Sequence, residues 1–145
     1  MIDLHCHILP GIDDGAKDLA TSLAMARMAA ADGIAVTACT PHIYPGVYDN
    51  TGDSIRAGVA RLQQALDEAG IALRLTSGAD AHIAPELPEQ LRSGAAPPLG
   101  GTRYFLLEPP LHVAPPRFAD FVFGLLAARF VPLITHPERL TWIGD

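Results

Sequence analysis

Cysteine is scarce in this sequence: Cys6 and Cys39 are the only two in 145 residues. Two thiols cannot staple a disulfide scaffold. No arginine follows either at the spacing of a phosphate cradle, so a cysteine nucleophile is not expected and both read as small buried residues. Long apolar runs are also missing. No stretch approaches the ~18 uninterrupted apolar residues of a membrane span, and Met1-Ile2-Asp3-Leu4-His5 lacks the basic start and apolar stretch of a secretory signal. A cytoplasmic protein with no membrane insertion is the expectation. Basic runs are absent as well, with 10 Lys and Arg against 16 Asp and Glu for a net charge of -6. Nucleic-acid partners are thereby disfavoured, because that affinity comes mostly from cationic neutralisation of phosphates. What the chain does have is 49% hydrophobic and only 18% charged residues, enough to build one buried core.

Short apolar runs alternate with amphipathic stretches. Met1–Leu4, Ile34–Cys39, Ile71–Thr76, Tyr104–Leu107 and Val131–Thr135 read as five strands. Between them, Leu19, Leu23, Ala26 and Ala30 repeat at helical spacing and stop at Gly33. Ile55, Val59, Leu62 and Leu66 do the same between a capping Asp53 and Gly70. A short helix is expected over 85–93, and another opened by Pro115-Pro116 with Phe118, Phe121, Val122, Leu125 and Leu126 on its apolar side. Strands separated by helices imply parallel pairing and an α/β fold.

The chemistry falls where these strands end, which is where parallel sheets and barrels gather their sites. His5 and His7 flank Cys6; residues two apart on an extended segment point the same way, so both imidazoles can meet one metal ion. Asp13-Asp14 sits in a Pro/Gly loop, where one carboxylate can cap a helix and the other bind a cation. His42 in Thr40-Pro41-His42 and His136 in Thr135-His136-Pro137-Glu138-Arg139 close two strands with similar Thr/His/Pro clusters. Asp80 and Glu108 end two more. His82 and His112 are placed more loosely and read as peripheral, His82 being the nearer to a role. The mixture of imidazole and carboxylate suits Mn, Fe or Zn and exceeds one tetrahedral shell, which predicts a cluster of two or three divalent ions. Such clusters activate water and clamp phosphoryl oxygens. Arg139 can bind a phosphate bidentately or pair with Glu138.

Asp3-Leu4-His5-Cys6-His7-Ile8-Leu9-Pro10-Gly11-Ile12-Asp13-Asp14-Gly15, with Thr40-Pro41-His42, Gly46-Val47-Tyr48-Asp49-Asn50, Leu106-Leu107-Glu108 and Thr135 to Arg139, resembles the PHP (polymerase and histidinol phosphatase) superfamily. Within it the resemblance is to the bacterial metal-dependent protein-tyrosine phosphatases of capsular and exopolysaccharide biosynthesis. It implies a distorted (β/α)7 barrel and a manganese-favouring trinuclear centre. It also implies hydrolysis of phosphotyrosine on a tyrosine autokinase by metal-activated hydroxide, without a phosphocysteine. By position, His5 and His7 would hold one metal, Glu108 would bridge to a second at His136, and Asp14 and His42 would serve a third. Arg139 would steady the phosphate, and it and His42 are the expected catalytic residues. Where better-known members have Glu, this chain has Asp80, one methylene shorter, with His82 a candidate helper. The family's late Asp-x-His has no counterpart after Arg139. A PHP hydrolase of small phosphate esters, and a metal-binding but catalytically weakened fragment, are the alternatives. A closed barrel takes about 250 residues, so five strands in 145 residues predict a truncated barrel whose open side is covered by a second copy or is prone to aggregation.

Overall fold

The computed structural model describes residues 1–144. Seven strands and four helices alternate along the chain: β1 (Ile2–Cys6), α1 (Leu19–Ala31), β2 (Val36–Cys39), β3 (His42–Ile43), α2 (Gly52–Glu68), β4 (Arg74–Ser77), β5 (Asp80–His82), α3 (Leu87–Ser93), β6 (Tyr104–Glu108), α4 (Phe118–Ala127) and β7 (Val131–Ile134). Every strand pairing is parallel, in the orders β1-β2-β4 and β3-β5-β6-β7. The expected α/β class is thus observed.

Seven strands stand where five were predicted because two are interrupted. Pro41, which has no N–H to donate, separates β2 from β3, and Gly78-Ala79 separates β4 from β5. The ladder nevertheless crosses the break, with Gly78 N–H bonding Cys39 O and Asp80 N–H bonding Pro41 O, both at 3.0 Å. Five strand segments therefore lie side by side in chain order. β1 also runs on to Cys6 rather than stopping at His5.

Alternation in the strands divides the side chains between two faces. Phe105 and Leu107 of β6 join the main core with Leu75, Ile55, Leu62, Leu66 and Leu125 beneath the helices. Leu106 points the other way, packing with Ala38, Leu99 and Leu133. That inner face borders an apolar cavity of about 410 Å³ reached by Ile2, Leu4, Thr76 and Tyr104. The same inner row of β6, Tyr104-Leu106-Glu108, delivers Glu108 to the end of the sheet.

Two loop details differ from expectation. The cap of α2 is Thr51, not Asp53: its hydroxyl accepts from Ser54 N–H while the Ser54 hydroxyl accepts from Thr51 N–H. Asp53 lies in the first turn and pairs with Arg56 at 2.7 Å. The helix after Pro115-Pro116 begins later, at Phe118, with Arg117 in the left-handed region before it. The helix stops at Gly33 and Gly70 are as predicted, both at positive φ.

Candidate metal centre

On β1, Ile2 and Asp3 pair with Val36 and Thr37, but Cys6 pairs with Cys39. Leu4 and His5 thus oppose the single residue Ala38, a bulge that shifts the alternation by one. Leu4 faces the apolar cavity, and after the bulge His5 and His7 both face the chemistry. Their Nε2 atoms are 3.1 Å apart. Cys6 is turned into the core instead, and burial lifts its thiol to about 11 and that of Cys39 to about 12. Both stay protonated near neutrality, as the absent phosphate cradle implied.

Asp80 closes the arrangement from β5. Its side chain is fully buried and its Oδ1 accepts a hydrogen bond from the Thr135 hydroxyl at 3.2 Å. Oδ2 has no hydrogen-bond partner and lies 3.4 Å from His5 Nε2 and 3.8 Å from His42 Nδ1. His42, on β3, spans the site: Nδ1 is 3.3 Å from Glu108 Oε2, and Nε2 is 3.5 Å from Asp14 Oδ1. Buried and unpartnered polar atoms are costly, and His42 Nδ1, Asp80 Oδ2 and His82 Nδ1 are three of them in one place. Three overlapping groups, His5/His7/Asp80, His7/Asp14/His42 and His42/Asp80/Glu108, each bring their ligand atoms within 4.8 Å of one another. A divalent cation fits these three groups and would satisfy His42 Nδ1 and Asp80 Oδ2, which have no hydrogen-bond partner.

The adjacent carboxylates divide their work. Asp14 is largely exposed, with Oδ1 3.8 Å from His7 Nδ1 as well as near His42. Asp13 is buried: Oδ2 lies 2.7 Å from His7 Nδ1 and 3.2 Å from the His42 amide that donates to it. Its Oδ1 accepts from the Gly15 amide at 3.0 Å. A carboxylate on one imidazole nitrogen fixes the tautomer that leaves the other free for metal. Burial raises the Asp13 carboxyl, but the His7 and amide bonds outweigh it and lower its pKa. Sequence reasoning did not give Asp13 this role; the buried one of two neighbouring carboxylates is set by the loop. Gly15 makes the loop possible, since a Cβ there would sit 2.1 Å from His7 O.

Glu108 is bracketed by two imidazoles. Burial raises its pKa, and the close approach of the His42 and His82 imidazoles more than offsets this, holding it at about 2. The same contact with Glu108, against burial, raises His42. His82 approaches Glu108 at 3.7 Å and stacks on Tyr44, with ring centroids 3.9 Å apart and planes at 10°. Tyr48 stacks on His42 at 5.4 Å. Tyr48 belongs to the Gly46–Asn50 segment of the family motif, whereas Tyr44 was not singled out in the sequence.

His136 stands at the rim, outside the three groups. Its ring packs 4.9 Å from that of His5, bringing the ends of β1 and β7 together although they are the two outer segments of the sheet. It adopts a left-handed backbone at φ 47°, a conformation that non-glycine residues hold at some cost and that clusters at functional sites. Arg139 is exposed, and its amide bonds His136 O at 2.8 Å. Glu138 faces His136 at 3.5 Å rather than Arg139. His112 is exposed in the loop after β6.

A family model for capsular polysaccharide synthesis, CpsB/CapC, matches residues 1–145. Tyrosine-protein phosphatase YwqE of Bacillus subtilis is 40% identical over 141 residues, covering 96% of this chain and 55% of that protein. Tyrosine-protein phosphatase CpsB of Streptococcus pneumoniae is 26% identical over 139 residues, covering 57% of its length. Among solved structures, one from crystal structures of YwqE and CpsB, described as unique metal-dependent tyrosine phosphatases, aligns with a TM-score of 0.90 at 38% identity. It covers 96% of this chain and 56% of the other. The chain spans about half the length of the relatives it matches. With the resemblance read from His5-Cys6-His7 and Asp13-Asp14 matched along the whole sequence, the chain belongs to the CpsB/CapC capsular polysaccharide synthesis family.

Proposed function

We propose that this chain is the metal-binding part of a metal-dependent protein-tyrosine phosphatase, acting on phosphotyrosine of a protein such as a tyrosine autokinase. The observation that carries the reading is the convergence of His5, His7, Asp14, His42, Asp80 and Glu108, with the unpartnered His42 Nδ1 and buried Asp80 Oδ2 among them. The names of the relatives support the substrate class. Two or three ions, Mn foremost with Fe or Zn as alternatives, would be held by these residues together with His136. Bound divalent ions supply Lewis acidity and lower the pKa of coordinated water toward 7.

The chain's own residues have separable tasks. Asp13 holds His7 in one tautomer, and Thr135 fixes Asp80 by one oxygen so that the other is free. His42 joins the Asp14 side of the site to the Glu108 side. Arg139, exposed and three residues beyond His136, is suited to steady the substrate phosphate. Asp80 needs no longer side chain, because β5 already places its carboxylate 3.4 Å from His5.

The five strand segments are proposed to be one side of a PHP-type barrel, with residues 1–145 as a single domain. Free Cys6 and Cys39, register partners on adjacent strands, suit a reducing cytoplasm. No helix among the described residues is long and apolar enough to cross a membrane.

Turnover of p-nitrophenyl phosphate with added Mn(II) tests the reading. Hydrolysis lost on chelation and in His5→Ala is expected; metal-independent turnover, or a His5→Ala protein of full activity, overturns it. A phosphotyrosyl peptide is expected to outcompete small phosphate esters.

A further inference from the structure

Beside the cluster lies a cavity of about 350 Å³ lined by Tyr44, His82, Glu108, Pro109, Pro110, Leu111, His112 and Val113. Glu108 belongs both to this wall and to the candidate metal groups, so the cavity opens from the centre itself. Its other walls are the Tyr44–His82 stack, two prolines, two aliphatic side chains and the exposed His112. No lysine or arginine lines it. What it offers is mainly apolar surface that includes the flat Tyr44–His82 stack, a composition suited to a planar apolar group.

We infer that this cavity is the subsite for the aryl group of an aryl phosphate monoester, whose phosphoryl end lies on the Glu108 side. The inference deepens the phosphatase reading and rests on it. Three further observations support it. Tyr44 is 37% exposed while its ring is pinned on His82, so one face is free without a mobile side chain to order. Tyr44 and Tyr48 are themselves held by a backbone bridge, which fixes the wall relative to His42. Finally, the cavity is not blind. His82, Pro110 and Val113 also line a second apolar space of about 450 Å³ that continues past Pro85, Pro115 and Phe121. A tyrosyl ring carried on a polypeptide needs such an exit; a free phenol does not.

Val113 is 68% exposed, so changing it tests the subsite without touching the core or a candidate ligand. The measurement is calorimetric titration of the Mn(II)-loaded protein with phenylphosphonate and with methylphosphonate, two stable probes that differ in the apolar group. Phenylphosphonate is expected to bind about tenfold or more tightly, because only it buries a ring. Val113→Asp is expected to remove at least about fivefold of that difference while leaving methylphosphonate unchanged, and Tyr44→Ala to act in the same direction. Equal affinity for the two probes, or a Val113→Asp protein weakened equally toward both, overturns the subsite and leaves the phosphatase reading standing. If neither probe binds the loaded protein, both fall.

Discussion

Asp13 and Asp14 are neighbours in the chain with opposite surroundings, and the difference assigns them different work. The Asp13 side chain is 1% exposed and bonded to His7, while that of Asp14 is 64% exposed and free to meet a cation. Asp13→Asn keeps the volume but weakens the anchor on His7 Nδ1, so Mn(II) affinity is expected to fall about 10- to 100-fold, measured by equilibrium dialysis with circular dichroism to confirm folding. The Glu108–His42 pair gives the metal-free protein a pH signature. Glu108, depressed to about 2, contributes stability that is present above the ordinary carboxylate range and lost as pH falls through that value. His42, raised above 6.5, contributes stability that is complete below 6.5 and lost as pH rises through its higher folded value. Thermal unfolding of the chelated protein is therefore expected to show a falling Tm on both sides of this window. Cys39, fully buried with its thiol at about 12, is expected to resist iodoacetamide in the folded protein. Intact mass measured alongside turnover checks this: activity lost in step with Cys39 alkylation would contradict chemistry without a cysteine.

At the scale of elements, the loop from His7 to Ala16 is as much a structural device as a strand. Ala16 N–H bonds His7 O at 3.0 Å, folding the loop back on the β1 end. Gly15→Ala drives a Cβ into His7 and is expected to abolish tight Mn(II) binding while α2 and its core remain folded, as read by titration and far-ultraviolet circular dichroism. Helix α2 supplies none of the candidate ligands. Leu66 has no exposed surface, so Leu66→Ala is expected to cost about 2–5 kcal/mol in urea unfolding. The helices were legible in the sequence because their apolar residues recur every three or four positions. β3 and β5 were not, because strands of two and three residues carry no periodicity; they exist through pairing with neighbours nearly forty residues away, as His42 does with Asp80.

For the whole molecule, the inner face of the sheet is unusually bare. Ile2, Leu4 and Tyr104 on the cavity rim are 64%, 48% and 41% exposed. Outer edges of β1 and β7 pair with no strand among the described residues. Apolar surface and open edges of this kind favour association of the chain as given. Sedimentation velocity is expected to show concentration-dependent self-association that Leu4→Glu reduces; a monomer at all concentrations refutes it.

The sequence by itself determined the alternation of strands and helices and placed a histidine or carboxylate at the end of each strand segment, because periodicity and breaker residues are local properties. It also carried the family motif, as five short segments each contiguous in the chain. Only the tertiary structure decided which atoms face one another. The bulge at Leu4-His5 turns two histidines inward, the loop buries Asp13 against His7, and sheet curvature packs His136 on His5 across the two outermost segments. These depend on register and curvature, which emerge when distant strands pair and which no local pattern encodes.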